Sequence, residues 1–159
     1  MLKNLSGFIL CLMVLMLFAG CSPKKKPDGL PKLYPLTIKI TQDGNTPLAN
    51  ASVRLISTDQ SGTTRWNVNG TTNTSGVTKL KTYGEYDGAP AGNYKVVVSK
   101  EEIVYDTSTP PQITGRFQLV ERKYSSIQET PLMVDVNQDT EEITFDVGKS
   151  VREKMEVPK

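Results

Sequence analysis

Ala91-Gly92-Asn93-Tyr94-Lys95-Val96-Val97-Val98-Ser99 carries the clearest β-strand pattern in the chain. Tyr94, Val96 and Val98 alternate with Lys95, Val97 and Ser99, and this period of two is typical of a half-buried strand. Gly92 directly precedes the alternation, which fits a chain that turns before it enters a sheet. We therefore predict a strand here, with the ring of Tyr94 in the core and its hydroxyl at the edge.

Segments on both sides of this stretch repeat the alternation, and Gly, Asn, Asp and Pro separate them. The segments 132–136 and 143–147 are predicted to form a hairpin around Asn137-Gln138-Asp139-Thr140. Residues 100–126 are interrupted by Pro110-Pro111, and 105–109 are predicted to be an irregular insertion. The other predicted strands are 36–40, 51–55, 64–68 (with Trp66 and Val68 on one face), 77–82, 113–120, 132–136 and 143–147.

No window after residue 20 has a helical period. Short strands with frequent turns favour two packed sheets. The sequence therefore predicts an all-β fold, a single Greek-key β-sandwich of about seven strands.

The first twenty residues have the order of a secretory signal peptide. Lys3 precedes an uncharged apolar run from Phe8 to Phe18, which ends in the small residues Ala19 and Gly20. This run is shorter than the roughly 20 residues that span a bilayer, so we predict removal rather than a retained membrane helix.

Leu17-Phe18-Ala19-Gly20-Cys21 resembles the lipobox of bacterial lipoproteins, although Phe18 is bulkier than the small or polar residue usual there. The resemblance implies cleavage between Gly20 and Cys21, a diacylglycerol on the Cys21 thiol and an acylated new amino terminus. Two or three acyl chains hold a protein stably on a membrane, which one chain does not. The expected location is the bacterial cell envelope, and Ser22 favours the outer membrane over the inner membrane.

These features divide the chain into four segments: the signal peptide (1–20), the lipidated Cys21 with a Pro- and Lys-rich tether (21–35), the sandwich (36–148) and a charged tail (149–159).

Residues 34–148 carry ten basic and fourteen acidic residues, a net charge of −4, whereas both flanks are basic. A basic face on the folded domain is what nucleic-acid binding requires, so we predict no nucleic-acid partner. The run Lys24-Lys25-Lys26 suits either anionic lipid headgroups or a solvated linker.

The chain has no histidine and only two cysteines. Ser-His-Asp and Cys-His nucleophilic sites are therefore excluded, and so are zinc sites built on histidine. Cys11 leaves with the signal peptide and Cys21 takes lipid, so the mature domain has no disulfide. We predict no metal and no cofactor.

Carboxylates are the remaining catalytic candidates, but none forms a pair that we would nominate. Asp43-Gly44-Asn45 lacks the spaced acidic series of a calcium loop and is predicted to be a hairpin turn. The carboxylates considered are Glu85, Asp87, Glu101, Glu102, Glu141 and Glu142.

Trp66, Tyr83 and Tyr86 are the candidate ligand-binding residues, because exposed aromatic rings give flat, amphipathic contacts that suit sugars. Gly84 and Gly88 place the two tyrosines on a predicted loop. Trp66 sits at an alternating position, where a core role is the more common one.

Three stretches together resemble the carboxypeptidase regulatory-like domain: Pro47-Leu48-Ala49-Asn50-Ala51-Ser52-Val53-Arg54-Leu55, Thr72-Asn73-Thr74-Ser75-Gly76-Val77 and Ala91 to Val98. The likeness covers about 36–147, and residues 124–136 are similar to the end of small bacterial lipoproteins that carry this domain. It implies a transthyretin-like (prealbumin-type) sandwich related to immunoglobulin-like ones, and it implies no activity. Hydroxyisourate hydrolases share that fold, but their histidines and Tyr-Arg-Gly-Ser signature are missing from this chain.

Taken together, the sequence predicts a non-catalytic, membrane-anchored envelope lipoprotein whose sandwich is an interaction or structural module. The expected partners are the membrane, through the lipid on Cys21, and an envelope protein or a glycan. The alternative is a carbohydrate-binding accessory lipoprotein.

Overall fold

The computed structural model of the protein describes residues 27–59 and 66–155. The predicted signal peptide, the cleavage site after Gly20 and the lipid attachment site Cys21 lie outside these residues. The chain divides into two compact units, Met1–Leu30 and Pro31–Lys159. Residues 27–30 of the first unit form a turn, in which the Leu30 N–H donates to the Pro27 carbonyl at 3.2 Å.

The described part of the second unit consists of strands and one short helix. The predicted all-β sandwich is therefore confirmed. The helix α1 is Arg122–Ser125. The strands are β1 (Leu33–Tyr34), β2 (Thr37–Gln42), β3 (Thr46–Pro47), β4 (Ser52–Ser57), β5 (Val68–Thr71), β6 (Val77–Lys79), β7 (Lys81–Thr82), β8 (Tyr86–Asp87), β9 (Ala89–Pro90), β10 (Gly92–Ser99), β11 (Glu101–Tyr105), β12 (Ile113–Gln118), β13 (Met133–Val136), β14 (Glu142–Asp146) and β15 (Glu153–Lys154).

Two sheets supply most of the core. The larger has the antiparallel order β13-β10-β4-β5-β7-β8. In the smaller sheet, β2 pairs in parallel with β14 and antiparallel with β3 and β6. Side chains from both sheets, such as Ile38 and Ile40 in β2 and Val53 and Val96 in the larger sheet, join one buried cluster.

The strand predicted from Tyr94 to Ser99 lies at the centre of this arrangement. It pairs with β4 from Tyr94↔Ser57 to Ser99↔Ser52. Tyr94 is buried, as predicted, and its hydroxyl donates to the Pro90 carbonyl at 2.9 Å. Burial raises the pKa of the Tyr94 phenol, and the nearby Asp59 carboxylate raises it further, so the phenol stays neutral and able to donate.

Val97 is fully buried on the opposite face of β10, where simple alternation would leave it partly exposed. The segment from α1 to β13 covers that face. The Thr130 hydroxyl donates to the Val96 carbonyl at 2.7 Å, and the Lys95 ammonium donates to the Ile127 carbonyl at 2.8 Å. The central strand is therefore apolar on both faces because a connection packs over the outer one.

The predicted final hairpin is wrong. β13 pairs with β10 in the larger sheet, whereas β14 runs parallel to β2 in the smaller one. The turn after Val136 thus carries the chain from one sheet to the other. Alternation in a sequence indicates which side chains face the core, but it does not indicate which strand is the neighbour.

Residues 64 and 65 of the strand predicted at 64–68 lie outside the described residues. Trp66 and Asn67 precede β5, which runs from Val68 to Thr71 and pairs with β4 from Leu55↔Val68. Asn69-Gly70 resembles a turn but lies inside a strand. A side chain on Gly70 would collide with the Thr78 hydroxyl and contact Leu80 at 3.1 Å. Glycine is therefore used here for the close approach of two strands and not for a turn.

The strand predicted at 77–82 is divided at Leu80. β6 belongs to the smaller sheet and β7 to the larger sheet, so the chain changes sheets at this residue. Its backbone remains paired: the Leu80 N–H donates to Leu36 and its carbonyl accepts from Gly88. Leu80 is a core residue, as predicted.

Strand pairing extends past the predicted domain bounds at both ends. β1 lies in the stretch assigned to the tether and pairs with β9, and β15 lies in the stretch assigned to the tail and pairs with β12. Arg152 in that tail stacks on the Phe117 ring at 3.5 Å and pairs with Glu102 at 2.8 Å. Tyr105, predicted to begin an irregular insertion, belongs to β11 in a β11–β12 hairpin.

Gly76 and Gly44 both adopt positive φ, +75° and +84°, and they form a matched pair for mutation. A side chain on Gly76 would lie 2.5 Å from the Ile40 carbonyl, whereas nothing lies within 4 Å of one on Gly44. Both alanine variants should lose about 1–2 kcal/mol of unfolding free energy from the left-handed backbone. We expect Gly76→Ala to lose about 1–3 kcal/mol more because its neighbours must move. Urea unfolding measures the difference, and equal losses would contradict the packing described here.

Candidate functional site

The turn between β7 and β8 carries the candidate aromatic residues. Thr82 pairs with Tyr86, and the Glu85 N–H donates to the Thr82 carbonyl at 3.2 Å. Tyr83 and Gly84 occupy the two central positions with φ of 54° and 70°, which is a type I′ hairpin turn. Glycine adopts this backbone at no steric cost, whereas tyrosine pays roughly 1–2 kcal/mol.

Two contacts hold Tyr83 in this conformation. Its N–H donates to the Asn67 carbonyl at 2.7 Å. Its ring meets the Trp66 ring edge-on, with centroids 6.0 Å apart and planes 71° apart. Aromatic pairs of this geometry contribute about 0.5–1.5 kcal/mol, which is close to the cost of the backbone conformation. Strained residues stabilised by their surroundings are frequent at functional sites.

The two rings have different exposure. Trp66 is half-buried and packs against the core cluster, as its alternating position suggests. Tyr83 is 43% exposed. Trp66 therefore supports the ring of Tyr83, and part of the Tyr83 ring stays exposed to solvent.

Tyr86 lies in β8, directly after the turn, and is half-buried. The structure thus brings Trp66 and Tyr83 into contact and keeps Tyr86 within the same hairpin. We name Trp66, Tyr83 and Tyr86 the aromatic corner.

Amide groups border the aromatic corner. Asn67 precedes β5 and Asn69 lies within it, and the Asn69 side-chain amide donates to the Asn67 side-chain carbonyl at 2.9 Å. Lys81 and Asp87 form an exposed ion pair at 3.5 Å across β7 and β8, a type of contact that adds little stability. An exposed ring beside neutral amides suits a ligand with one apolar face and many hydroxyl groups.

The candidate carboxylates do not come together. Asp87 pairs with Lys81, and Glu102 pairs with Arg152. Glu101 is the neighbour of Glu102 in β11, so their side chains point to opposite faces. Glu85 belongs to the β7–β8 turn, and Glu141 and Glu142 lie at the start of β14.

Asp43-Gly44-Asn45 connects β2 to β3, so the predicted hairpin turn is confirmed. The Asp43 carboxylate accepts the Ser150 N–H at 3.0 Å, and the Asp146 carboxylate accepts the Gly44 N–H at 3.1 Å. These carboxylates are thus engaged in tying the turn to the end of β14. Within residues 27–59 and 66–155, no three acidic or sulfur side chains converge as metal ligands would.

Two further features were not predicted from the sequence. One is the β11–β12 hairpin, which exposes Ile103, Tyr105 and Ile113. The other is a cleft of about 530 Å³, in which the Gln118 side-chain nitrogen is buried without a hydrogen-bond partner. The hairpin lies within residues 100–126, where Pro110-Pro111 interrupts the alternation of apolar residues. The cleft borders on the same segment. The cleft is lined by Gln118, Arg122, Ser125, Glu153, Lys154 and Met155.

Comparison with known proteins gives one weak similarity. No family model and no curated protein matches the chain. A 9R-lipoxygenase from Cyanothece PCC8801 is similar in structure over 87% of this chain, with 16% sequence identity and a TM-score of 0.36. The chain spans 20% of the length of that lipoxygenase. A TM-score this low supports no argument about fold or activity.

Proposed function

We propose that this chain is a lipid-anchored protein of the bacterial envelope whose β-sandwich is a non-catalytic binding module. The anchor rests on the order of basic, apolar and small residues that ends at Cys21. About twelve residues separate Cys21 from β1, a reach of about 40 Å when fully extended. Such a linker would keep the sandwich close to the membrane that holds the lipid.

The aromatic corner is the observation that carries the binding role. The type I′ turn holds Tyr83 in a conformation that costs energy, and the Trp66 ring compensates for that cost. A turn selected only for stability would place Asn or Gly at that position. The Tyr83 ring is also 43% exposed, and this exposed part suits contact with a partner in the envelope.

The arrangement of the acidic side chains supports a non-catalytic role. General acid–base and nucleophilic mechanisms need two groups within reach of one substrate atom. The candidate carboxylates instead lie in three places, the β7–β8 hairpin, β11 and the start of β14, and two of them are paired with Lys81 and Arg152. The resemblance to the carboxypeptidase regulatory-like domain, which implies no activity, points in the same direction.

The alternative function is carbohydrate binding, and the amides beside Tyr83 favour it. A sugar could lie with its apolar face on the ring and with its hydroxyl groups against Asn67 and Asn69. This class of ligand explains an exposed tyrosine that is flanked by neutral polar groups.

The anchor can be tested by labelling cells with radioactive palmitate. We expect the label in the full-length protein and none in Cys21→Ser, because the thiolate is the group that is alkylated. Cys11→Ser is the matched control and should keep the label, since Cys11 is removed with the signal peptide. Label that survives Cys21→Ser would contradict the anchor.

Glycan-array binding tests the alternative function. If the intact protein binds a glycan, Tyr83→Ala should weaken binding about tenfold, because a stacked ring contributes on the order of 1 kcal/mol. Tyr83→Phe should bind normally, since it retains the ring and lacks only the hydroxyl. Met133→Ala is the control, because Met133 is 57% exposed in a different strand. An intact protein that binds no glycan, or binding that Tyr83→Ala leaves unchanged, would rule out this role for the aromatic corner.

A further inference from the structure

β11 is an edge strand with one unused side. The Leu119 N–H donates to the Lys100 carbonyl at 2.8 Å, and the Asp106 N–H donates to the Gln112 carbonyl at 2.9 Å. Alternate residues face the partner in an antiparallel ladder, so the even-numbered residues of β11 face β12. Glu101, Ile103 and Tyr105 therefore direct their N–H and C=O groups away from it. In the part of the chain that the structure describes, no strand pairs with that side.

Exposed apolar side chains accompany this open edge. Ile103 is 39% exposed, Tyr105 is 55% exposed and Ile113 is 47% exposed. Tyr105 is the register partner of Ile113, and Ile103 lies two residues before Tyr105, so all three share one face. They are three of the six large apolar side chains exposed in the described residues. Apolar groups concentrated in this way mark an interaction surface.

The edge formed by β13 provides a contrast. Val96 donates to the Leu132 carbonyl, so Met133 and Asp135 are the residues that face away from β10. The Thr140 hydroxyl donates to the outward carbonyl of Asp135 at 3.0 Å, so the following turn covers that edge. Proteins commonly cover their sheet edges in this way, and within residues 27–59 and 66–155 no strand pairs with the outer side of β11.

We propose that β11 pairs antiparallel with β11 of a second copy of this chain, about a two-fold axis at Ile103. The two three-stranded sheets formed by β11, β12 and β15 would then join into one sheet of six strands. A closed two-fold contact of this kind uses the same surface on both copies.

The register about Ile103 is self-complementary. Ile103 opposes its own counterpart, and Glu101 opposes Tyr105, so all three outward residues of each copy gain backbone hydrogen bonds. Lys100 opposes Asp106, and opposite charges directly across a sheet stabilise a strand pair. The Asp106 carboxylate is already fixed in place, because it accepts the N–H groups of Gln112 at 2.8 Å and Ser108 at 3.1 Å.

Charge favours a second copy over a lipid surface as the occupant. Glu101 and Asp106 lie beside the apolar residues, and anionic headgroups would repel them, whereas Glu102 is already paired with Arg152. In the strand pair, by contrast, each Asp106 meets a lysine. The small size of the contact predicts a weak dimer, which copies held on one membrane would form more readily than copies in solution.

Disulfide formation in membranes carrying the full-length protein tests the proposal. Residues paired across the two-fold axis have Cα atoms about 5.5 Å apart, a distance that a disulfide can span. We expect Ile103→Cys to give covalent dimers under mild oxidation. Met133→Cys and the unmodified chain are the controls and should stay monomeric. Equal dimer yields from Ile103→Cys and Met133→Cys, or none from Ile103→Cys, would overturn the proposal.

Adding Lys100→Glu to Ile103→Cys tests the register. It places a glutamate opposite Asp106 in both copies, and we expect the dimer yield to fall about fivefold or more. An unchanged yield would overturn the proposed register. Ile103 is exposed and Lys100 is half-buried, and an unchanged melting temperature would show that each variant is folded.

Vesicle binding distinguishes a membrane-binding surface from a dimer interface. The probe is the protein that begins at residue 21 and carries Cys21→Ser, so that it has neither signal peptide nor lipid, with vesicles of zwitterionic and anionic phospholipid. Binding that is lost in Ile103→Lys, together with no covalent dimer from Ile103→Cys, would identify a membrane-facing surface and overturn the proposal. The dimer predicts that Ile103→Lys leaves vesicle association unchanged.

Discussion

The double pairing of β10 is the constraint on which the rest of the sandwich depends. Thr58 donates to the Asn93 carbonyl and Val96 donates to the Leu132 carbonyl, so alternate residues of β10 bond to β4 on one side and to β13 on the other. Both faces are also buried, because Val96 and Val98 join the core and Val97 lies under the segment that follows α1. No other strand of the described residues is as completely surrounded.

This strand fixes the positions of the two surfaces that suggest function. On one side, β4, β5, β7 and β8 follow in order, so the aromatic corner is carried at the far edge of the larger sheet. At its end, β10 passes through Lys100 into β11, which leaves the sheet and forms the projecting hairpin. The two surfaces use different strands and could act independently. A binding site and a self-association edge would together suit a protein that works while held at a membrane.

Much of the fold could be predicted from alternation alone. The alternation of apolar residues around Ile38, Val53 and Val96 correctly indicated three strands and the face of each that lies in the core. Burial of one face of a strand imposes this alternation. Strand partners could not be predicted in the same way. The alternation of Ile143 and Phe145 does not indicate whether their strand pairs in the parallel or the antiparallel direction. In the structure this strand, β14, pairs in parallel with β2. Gly70 resembled a turn because its role, a close approach to Thr78, depends on a distant strand.

The aromatic corner was predictable in its residues and not in its geometry. Trp66 and Tyr83 are seventeen positions apart, and only the β5–β7 pairing brings the rings together. The open edge of β11 left no sequence signal, since Pro110-Pro111 obscured the hairpin. These features depend on tertiary pairing, which local patterns do not encode.

Amide hydrogen exchange on the full-length protein tests the central role of β10 most directly. We expect the amides of Lys95, Val96 and Val97 to exchange slowest, at the rate of global unfolding, and those of the β11–β12 hairpin to exchange faster through local opening. Exchange in β10 as fast as in the hairpin would contradict it.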